Sequence, residues 1–323
     1  MKILYGVARE GRGDAARSRA LLEHLARRGH QVVVAAPTRN HVLLRDLPPA
    51  IGSYFDRATR FRATAVISDF DSWSWLYAFE QRLPLLSIDS MQVVDRCDLP
   101  DDVRNRRGVR LHRHVARALR RSKLPLCDRY FIPTVFCARL QTSRLRLVPP
   151  IVRKEILAMA SRRRRGAHVV VSIEAGGDRE ILAAVRAAGI EARVHHAGPS
   201  ERGDDAGFVH DLATCRAVIS SGGATLMGEA LYLKKPMLAF PSVGRFDRLL
   251  EAQYLDLEGF GAYATRPDAR AVRGFLDRLP AFEDNLADYE QDGNREILEG
   301  LDDWLADAAA KRARRTDVVD KAA

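Results

Sequence analysis

The residues best suited to chemistry form one run: Val218-Ile219-Ser220-Ser221-Gly222-Gly223-Ala224-Thr225-Leu226-Met227-Gly228-Glu229-Ala230-Leu231, followed by Lys235-Pro236-Met237-Leu238-Ala239-Phe240-Pro241. A β-rich stretch runs into a Gly-Gly turn that opens a helical pattern at Ala224. Without side chains, Gly222 and Gly223 let backbone N–H groups approach a ligand, and the helix N-terminus adds about half a positive charge. The hydroxyls of Ser221 and Thr225 are further donors. Such a turn suits a diphosphate. Glu229, on the same helix, is within reach of diol hydroxyls such as those of a ribose. The plainer reading is a strand–helix turn in which glycine only permits tight packing.

A second glycine-bearing turn reads Val7-Ala8-Arg9-Glu10-Gly11-Arg12-Gly13-Asp14, with Arg17 and Arg19 in the helical pattern beyond. As a dinucleotide loop it is weak. The third glycine is not at its offset, and the second strand closes on Ala35-Ala36-Pro37 rather than on an acid. Asp14 is well placed to cap its own helix. Asp69-Phe70-Asp71 and Asp89 stand at two further strand ends. Asp-x-Asp there suggests a divalent metal holding a diphosphate. The Gly-Gly helix already offers charge stabilisation, so no metal is expected. Trp73, Trp75 and Tyr77 follow in a helical pattern, for which core packing is the default reading and an acceptor wall formed by one of them the alternative.

Short apolar runs predict strands at 3–7, 31–35, 65–68, 85–88 and 129–132, then at 168–172, 192–195, 217–220, 236–240 and 262–265. Between them, apolar positions three and four apart, as in Ala20, Leu21 and Leu25 or Ile181, Leu182 and Val185, predict helices. Strand and helix in alternation make a parallel sheet covered on both faces, with ligands bound beyond the carboxyl ends of the strands. Two such series of roughly 150 residues predict two Rossmann-like, doubly wound α/β domains, 1–148 and 149–290. Val148-Pro149-Pro150 marks the joint, because proline disfavours helix in the residue before it and donates no ladder bond. Residues 291–323 add a last helix over about 295–310, and the polar tail after Lys311 is expected to fray.

The run from Ser221 through Thr225 to Glu229-Ala230-Leu231, with Lys235-Pro236 and a strand ending in Pro241, resembles the donor-binding motif of GT-B glycosyltransferases. These include the lipid-II-forming N-acetylglucosaminyltransferases and natural-product glycosyltransferases. Beyond Pro241 that family carries an acidic-Gln-x-x-Asn-Ala pattern whose acidic–Gln pair hydrogen-bonds sugar hydroxyls. Here Asp247 matches the acid and Ala252 the Ala, while Arg248 and Glu251 depart from Gln and Asn. Asp247 and Arg248 are thereby donor-side residues, and the donor sugar stays open.

The first loop is similar to the Arg-Gly-Asp version found in antibiotic and sterol glycosyltransferases. The resemblance makes Asp14 the general base for the acceptor hydroxyl, a role compatible with helix capping, and puts Gly11 and Gly13 on the acceptor side. Asp69 and Asp89 are expected there too. Ser172, Gly176 and Gly177 fall where GT-B enzymes set a loop against the donor phosphates. Val209 falls where their backbone meets the nucleobase, with a helix start as the plainer reading.

The resemblance implies a GT-B fold, two Rossmann-like domains facing across a cleft with the last helix returning to the first. It also implies inverting, metal-independent transfer from a nucleoside-diphosphate sugar, which is substrate rather than cofactor. Two alternatives stay open. One is a sugar-nucleotide hydrolase or epimerase of the same fold, although such hydrolases place His where Asp14 stands. The other is a non-catalytic nucleotide-sugar-binding protein, for which Arg248 and Glu251 speak.

Composition narrows the partners. The chain has 323 residues, 46% hydrophobic and 29% charged, which excludes wholesale disorder. No apolar run approaches the ~20 residues that span a bilayer. The first residues carry no leader pattern, so the expectation is a cytoplasmic protein. Cys97, Cys127, Cys137 and Cys215 have no metal-like spacing and read as reduced core thiols.

Residues 1–165 hold 33 Lys and Arg against 15 Asp and Glu, whereas 166–323 hold 19 against 27. Within the basic half, 104–123 repeats Leu111, Val115, Ala118 and Leu119 at helical spacing among arginines. Such a helix either rests on anionic lipid, placing the protein on the inner membrane face, or holds an anionic acceptor. The plain alternative is a solvated helix on the sheet. No base-stacking aromatics are interleaved, so nucleic acid is not expected. The acceptor is a small molecule or a lipid-linked one.

Overall fold

The computed structural model describes residues 1–7, 12–35, 54–93, 97–98, 114, 118, 126–136, 139–140, 142–174, 179–197, 205–242 and 246–320. The first half builds a six-stranded sheet from β1 (Lys2–Val7), β2 (Gln31–Ala35), β3 (Ala65–Asp69), β4 (Leu85–Ile88), β6 (Arg129–Pro133) and β8 (Leu145–Val148). Its strand order is β2-β1-β3-β4-β6-β8, and every pair is parallel. Helices α1 (Arg12–Arg27), α2 (Tyr54–Phe61) and α3 (Ser72–Glu80) connect these strands. A short antiparallel pair, β5 (Cys97–Asp98) with β7 (Arg139–Leu140), lies apart from the sheet.

Strand β8 is not foreseen by the periodicity. Leu-Arg-Leu-Val is only four residues long and carries an arginine. It survives as an edge strand whose Arg146 is free to reach Glu296 at 3.2 Å.

The second half repeats the plan after α4 (Lys154–Leu157). Five parallel strands run in the order β10-β9-β11-β12-β13: β9 (Val169–Glu174), β10 (Ala192–Ala197), β11 (Ala217–Ser220), β12 (Met237–Ala239) and β13 (Gly261–Tyr263). The helices are α5 (Arg179–Ala188), α6 (Asp205–Thr214), α7 (Ala224–Tyr232), α8 (Phe246–Leu257), α9 (Ala269–Asp277), α10 (Leu279–Ala287) and α11 (Arg295–Asp320). Valine-rich β9 pairs on both sides and is buried on both faces, as continuous apolar strands of parallel sheets are.

Helix α11 spans Arg295–Asp320. Its Ile297, Leu301, Trp304 and Leu305 lie three and four apart and join the core formed by Ile3 and Tyr5 of the first sheet and Leu21 and Leu25 of α1. Helix α8 is divided differently. Ala252 and Leu255 join the core of the second sheet, while Leu250 and Tyr254 join that of the first. Tyr254 stacks on Phe136, from the loop after β6, at 3.4 Å between centroids and 7° between planes. The joint is held by Asn294, whose Oδ1 accepts from Val152 N (2.8 Å) and whose Nδ2 donates to Val152 O (2.7 Å). Cys127 and Cys215 are both buried. Among the described residues no helix is long and apolar enough to cross a membrane.

Candidate functional site

Strand β11 ends at Ser220, and the next residues make the turn that the sequence marks. Gly222 has φ 88° and Gly223 φ 132°, conformations that side chains disfavour, so this turn requires its glycines. Gly222 N donates to Ser220 Oγ at 2.9 Å. Helix α7 then begins at Ala224 with no side-chain cap, and its first helical bond is Met227 N to Gly223 O at 3.0 Å. The N–H groups of Ala224, Thr225 and Leu226 are thus left to the half-exposed helix start. Ser221, almost fully buried, accepts a hydrogen bond from Arg248 Nη1 at 3.1 Å. The turn, its hydroxyl and a guanidinium therefore meet at one helix terminus, an arrangement that attracts anions.

Glu229 is fully buried and forks with Arg153, Oε1 to Nε at 2.6 Å and Oε2 to Nη2 at 2.9 Å. A ligand hydroxyl reaching this carboxylate would share it with that guanidinium. Arg153 also lies over the Phe208 ring, 5.5 Å from its centroid. Sequence reasoning missed Arg153. A single arginine after a Pro-Pro joint has no periodicity to mark it, and its partner lies 76 residues away.

Ser172 is not in a loop. Strand β9 continues to Glu174, so Ser172 is a strand residue in register with His195 and Ser220. Gly176 and Gly177 lie outside the described residues. Val209 lies in the middle of α6, where its backbone groups belong to the helical ladder. Its side chain lines a cavity of about 840 Å³ with Met159, Ala206, His210 and Thr214. On the same helix Asp211 receives His195 Nε2 at 2.9 Å and Arg193. Burial alone would raise its pKa, but these two partners hold it below the ordinary carboxylate value. Asp247 is the second residue of α8, and its side chain is outside the described set.

On the first sheet, Gly11 is outside the described residues. Gly13 and Asp14 fall in the first turn of α1, with side chains outside the described set. Asp69 ends β3 and Asp89 follows β4, and both are fully buried. Asp69 receives Arg17 Nη2 at 2.5 Å and Ser18 Oγ at 3.2 Å. Asp71 caps α3 by accepting from Ser74 N at 2.8 Å, so the two halves of Asp-x-Asp serve different elements. Trp73 is exposed, whereas Tyr77 is buried with its hydroxyl on Ala58 O at 3.0 Å. Of the basic segment 104–123, only 114 and 118 are described; both are helical and exposed.

The two carboxyl edges face one another. Ser90, Val93, Pro133 and Phe136 from one side, and Pro150, Ala224, Leu250 and Glu251 from the other, line a narrow gap at the start of α7. Helix α1 touches α7, and Lys154 Nζ reaches Glu23 of α1 at 2.8 Å.

With that geometry in hand, residues 1–48 and 38–280 match glycosyl transferase family 1. A UDP-N-acetylglucosamine–N-acetylmuramyl-(pentapeptide) pyrophosphoryl-undecaprenol N-acetylglucosamine transferase of Bacillus cereus is 33% identical over 88 residues, 26% of this chain and 25% of that one. The match thus spans only about a quarter of that relative. Among solved structures, the spinosyn forosaminyltransferase SpnP is similar at TM-score 0.62 and 15% identity, over 93% of this chain and 99% of that one. The spinosyn rhamnosyltransferase SpnG is similar in its complex with spinosyn aglycone (TM-score 0.60, 16% identity, 93% of this chain and 100% of that one). It is also similar in its complex with thymidine diphosphate (0.54, 17%, 98% and 100%). The chain belongs to glycosyl transferase family 1 and has the GT-B fold.

Proposed function

We propose that this protein transfers a sugar from a nucleoside-diphosphate donor to an acceptor hydroxyl, inverting the anomeric carbon without a metal. The observation that carries the reading is the uncapped, half-exposed start of α7 behind two positive-φ glycines, facing the carboxyl edge of the other sheet. A diphosphate gains negative charge as it departs, and preorganised N–H groups with a helix dipole are complementary to that change. The structural relative SpnG is solved with thymidine diphosphate and with an aglycone, which supports a nucleotide donor and a separate acceptor. The pyrophosphoryl-undecaprenol substrate in the Bacillus relative's name keeps a lipid-linked acceptor in view, with the basic 104–123 segment as its membrane contact.

In this reading Asp14, in the first turn of α1, takes the acceptor proton. The acceptor oxygen bonds to the anomeric carbon, and the carbon–phosphate oxygen bond breaks with its electron pair going to the diphosphate. A solvated aspartate near pKa ~4 is a weak base, so this role requires surroundings that favour its protonated form. Asp14→Asn is expected to abolish transfer while leaving nucleoside-diphosphate binding, read as a thermal shift, unchanged. Near-normal transfer by Asp14→Asn would reject the base. Rapid donor consumption without acceptor would instead point to a hydrolase.

A further inference from the structure

The amino edge of the first sheet carries a cavity of its own. Lys2 and Gln31 open β1 and β2, and Thr64 immediately precedes β3. Together with Arg62, and with Ala309 and Arg312 of α11, they line a space of about 750 Å³. The gap described above lies at the opposite, carboxyl edge, a strand's length of roughly 20 Å away. Lys2, Arg62 and Arg312 bring positive charge from three elements, and no acidic side chain is among the described lining residues. Backbone and hydroxyl bonds fix two of these cations side by side: Lys2 N donates to Thr64 Oγ1 at 3.1 Å, and Thr64 N to Lys2 O at 2.7 Å. Lys2 Nζ lies over the ring of Phe61, the residue before Arg62, at 5.6 Å from its centroid.

Arg62 is the sharper feature. It follows α2 directly and has φ 52°, a left-handed position that helices usually end with glycine because a Cβ crowds there. Lys234 ends α7 in a similar way at φ 59°, and its ammonium donates to the carbonyls of Leu286, Ala287 and Tyr289. Arg62 makes no such use of its charge. Neither it nor Lys2 has an ion pair or a side-chain hydrogen bond among the described residues. A strained backbone that holds an exposed guanidinium at the wall of a cavity points to a ligand for that group.

We propose that this cavity is a second ligand site, for a phosphorylated small molecule whose phosphate is held by Arg62 and Lys2. A guanidinium presents a planar fork to phosphate oxygens and an ammonium a point charge, so the pair suits phosphate better than a halide. The volume is that of a small-molecule pocket rather than of a bare ion, and its concavity favours a soluble molecule over a flat bilayer. A ligand there joins β1 and the turn before β3 to the far part of α11. That helix starts beside the joint between the two sheets, so the ligand grips the distal end of the element that spans both halves.

The test compares wild type, Lys2→Gln and Arg62→Gly with inorganic phosphate, pyrophosphate or chloride at constant ionic strength, read by peptide-resolved hydrogen exchange and thermal unfolding. Glycine suits the left-handed backbone, so Arg62→Gly removes the charge and keeps the fold. At ten times Kd, phosphate or pyrophosphate should slow exchange in 309–313 of wild type about 10-fold. Each variant should weaken binding about 10-fold and lose most of that protection. Protection at 224–226 reports the diphosphate site of the proposed function instead, and should be equal in all three proteins. Protection confined to 224–226, or none anywhere, overturns the second site. Variants that lose stability equally in chloride and phosphate also overturn it, because the cations then only complement the negative ends of α1 and α2. So does binding to phosphatidic acid vesicles without any effect of soluble phosphate, which would make the surface a membrane contact.

Discussion

Gly228→Ala tests how firmly α7 is seated. Gly228 lies inside that helix, where alanine would ordinarily gain about 1 kcal/mol. A Cβ built there meets Pro150 Cβ at 2.3 Å and Cγ at 3.0 Å, both on the joint between the two sheets. Neither side can easily yield. The joint is held by both amide groups of Asn294 and by Gln291 on Pro150 O, and α7 is held by the Arg153–Glu229 fork. Overpacking a rigid contact costs about 1–3 kcal/mol, and a pyrrolidine ring at this distance belongs at the upper end.

The net expectation is a loss of about 2 kcal/mol. With an unfolding entropy near 2.1 cal/mol/K per residue, that lowers Tm by about 3 °C in a chain of this length. Gly274 provides the contrast. It lies in α9, is exposed, and a Cβ there meets nothing within 4 Å, so Gly274→Ala should gain about 1 kcal/mol. Urea unfolding with unchanged m reads both values as shifts in midpoint. If Gly228→Ala proves as stabilising as Gly274→Ala, then α7 and the joint are not in rigid contact and the reasoning fails.

Arg153→Met strands the fully buried Glu229 carboxylate and should cost about 3–5 kcal/mol, most of it recovered when Glu229→Met is added. Purely additive unfolding free energies in that cycle would contradict the pairing. Asp302 of α11 accepts from His24 Nε2 (2.9 Å) of α1 and from Arg28 Nη2 (2.5 Å), just past the end of that helix. Burial raises its pKa, but these partners outweigh that and hold the group below its ordinary value. The stabilisation is therefore present above about pH 4 and fades as pH falls through the depressed value. Asp302→Asn should lose about 1 kcal/mol or less at pH 7, since Arg28 is largely exposed, and match wild type near pH 2 in urea midpoints.

Parallel strands buried on both faces are continuous apolar runs, so 31–35, 85–88 and 217–220 could be read from the chain to the residue. The Gly-Gly turn was legible for a related reason, because its backbone conformation leaves few residue types. Ends and edges were not. Strand β9 runs on through Ser172 to Glu174 because Ile173 still fills the core, and β8 hides an arginine in a strand bonded on one side. Burial of charge was least visible. Asp69 is paired with an arginine 52 residues away, and Arg153 with a glutamate on another helix, so neither environment has a local signature.

Helix α8 limits how such a protein can be recombined. The proline joint is the natural place to cross two relatives. A cut there would bring Leu250 and Tyr254 of one parent against Phe136, Tyr130 and Leu145 of the other. The second half thus also carries part of its neighbour's interior. Functional hybrids should come only from parents that agree at those apolar positions, so the two halves are inherited as one block.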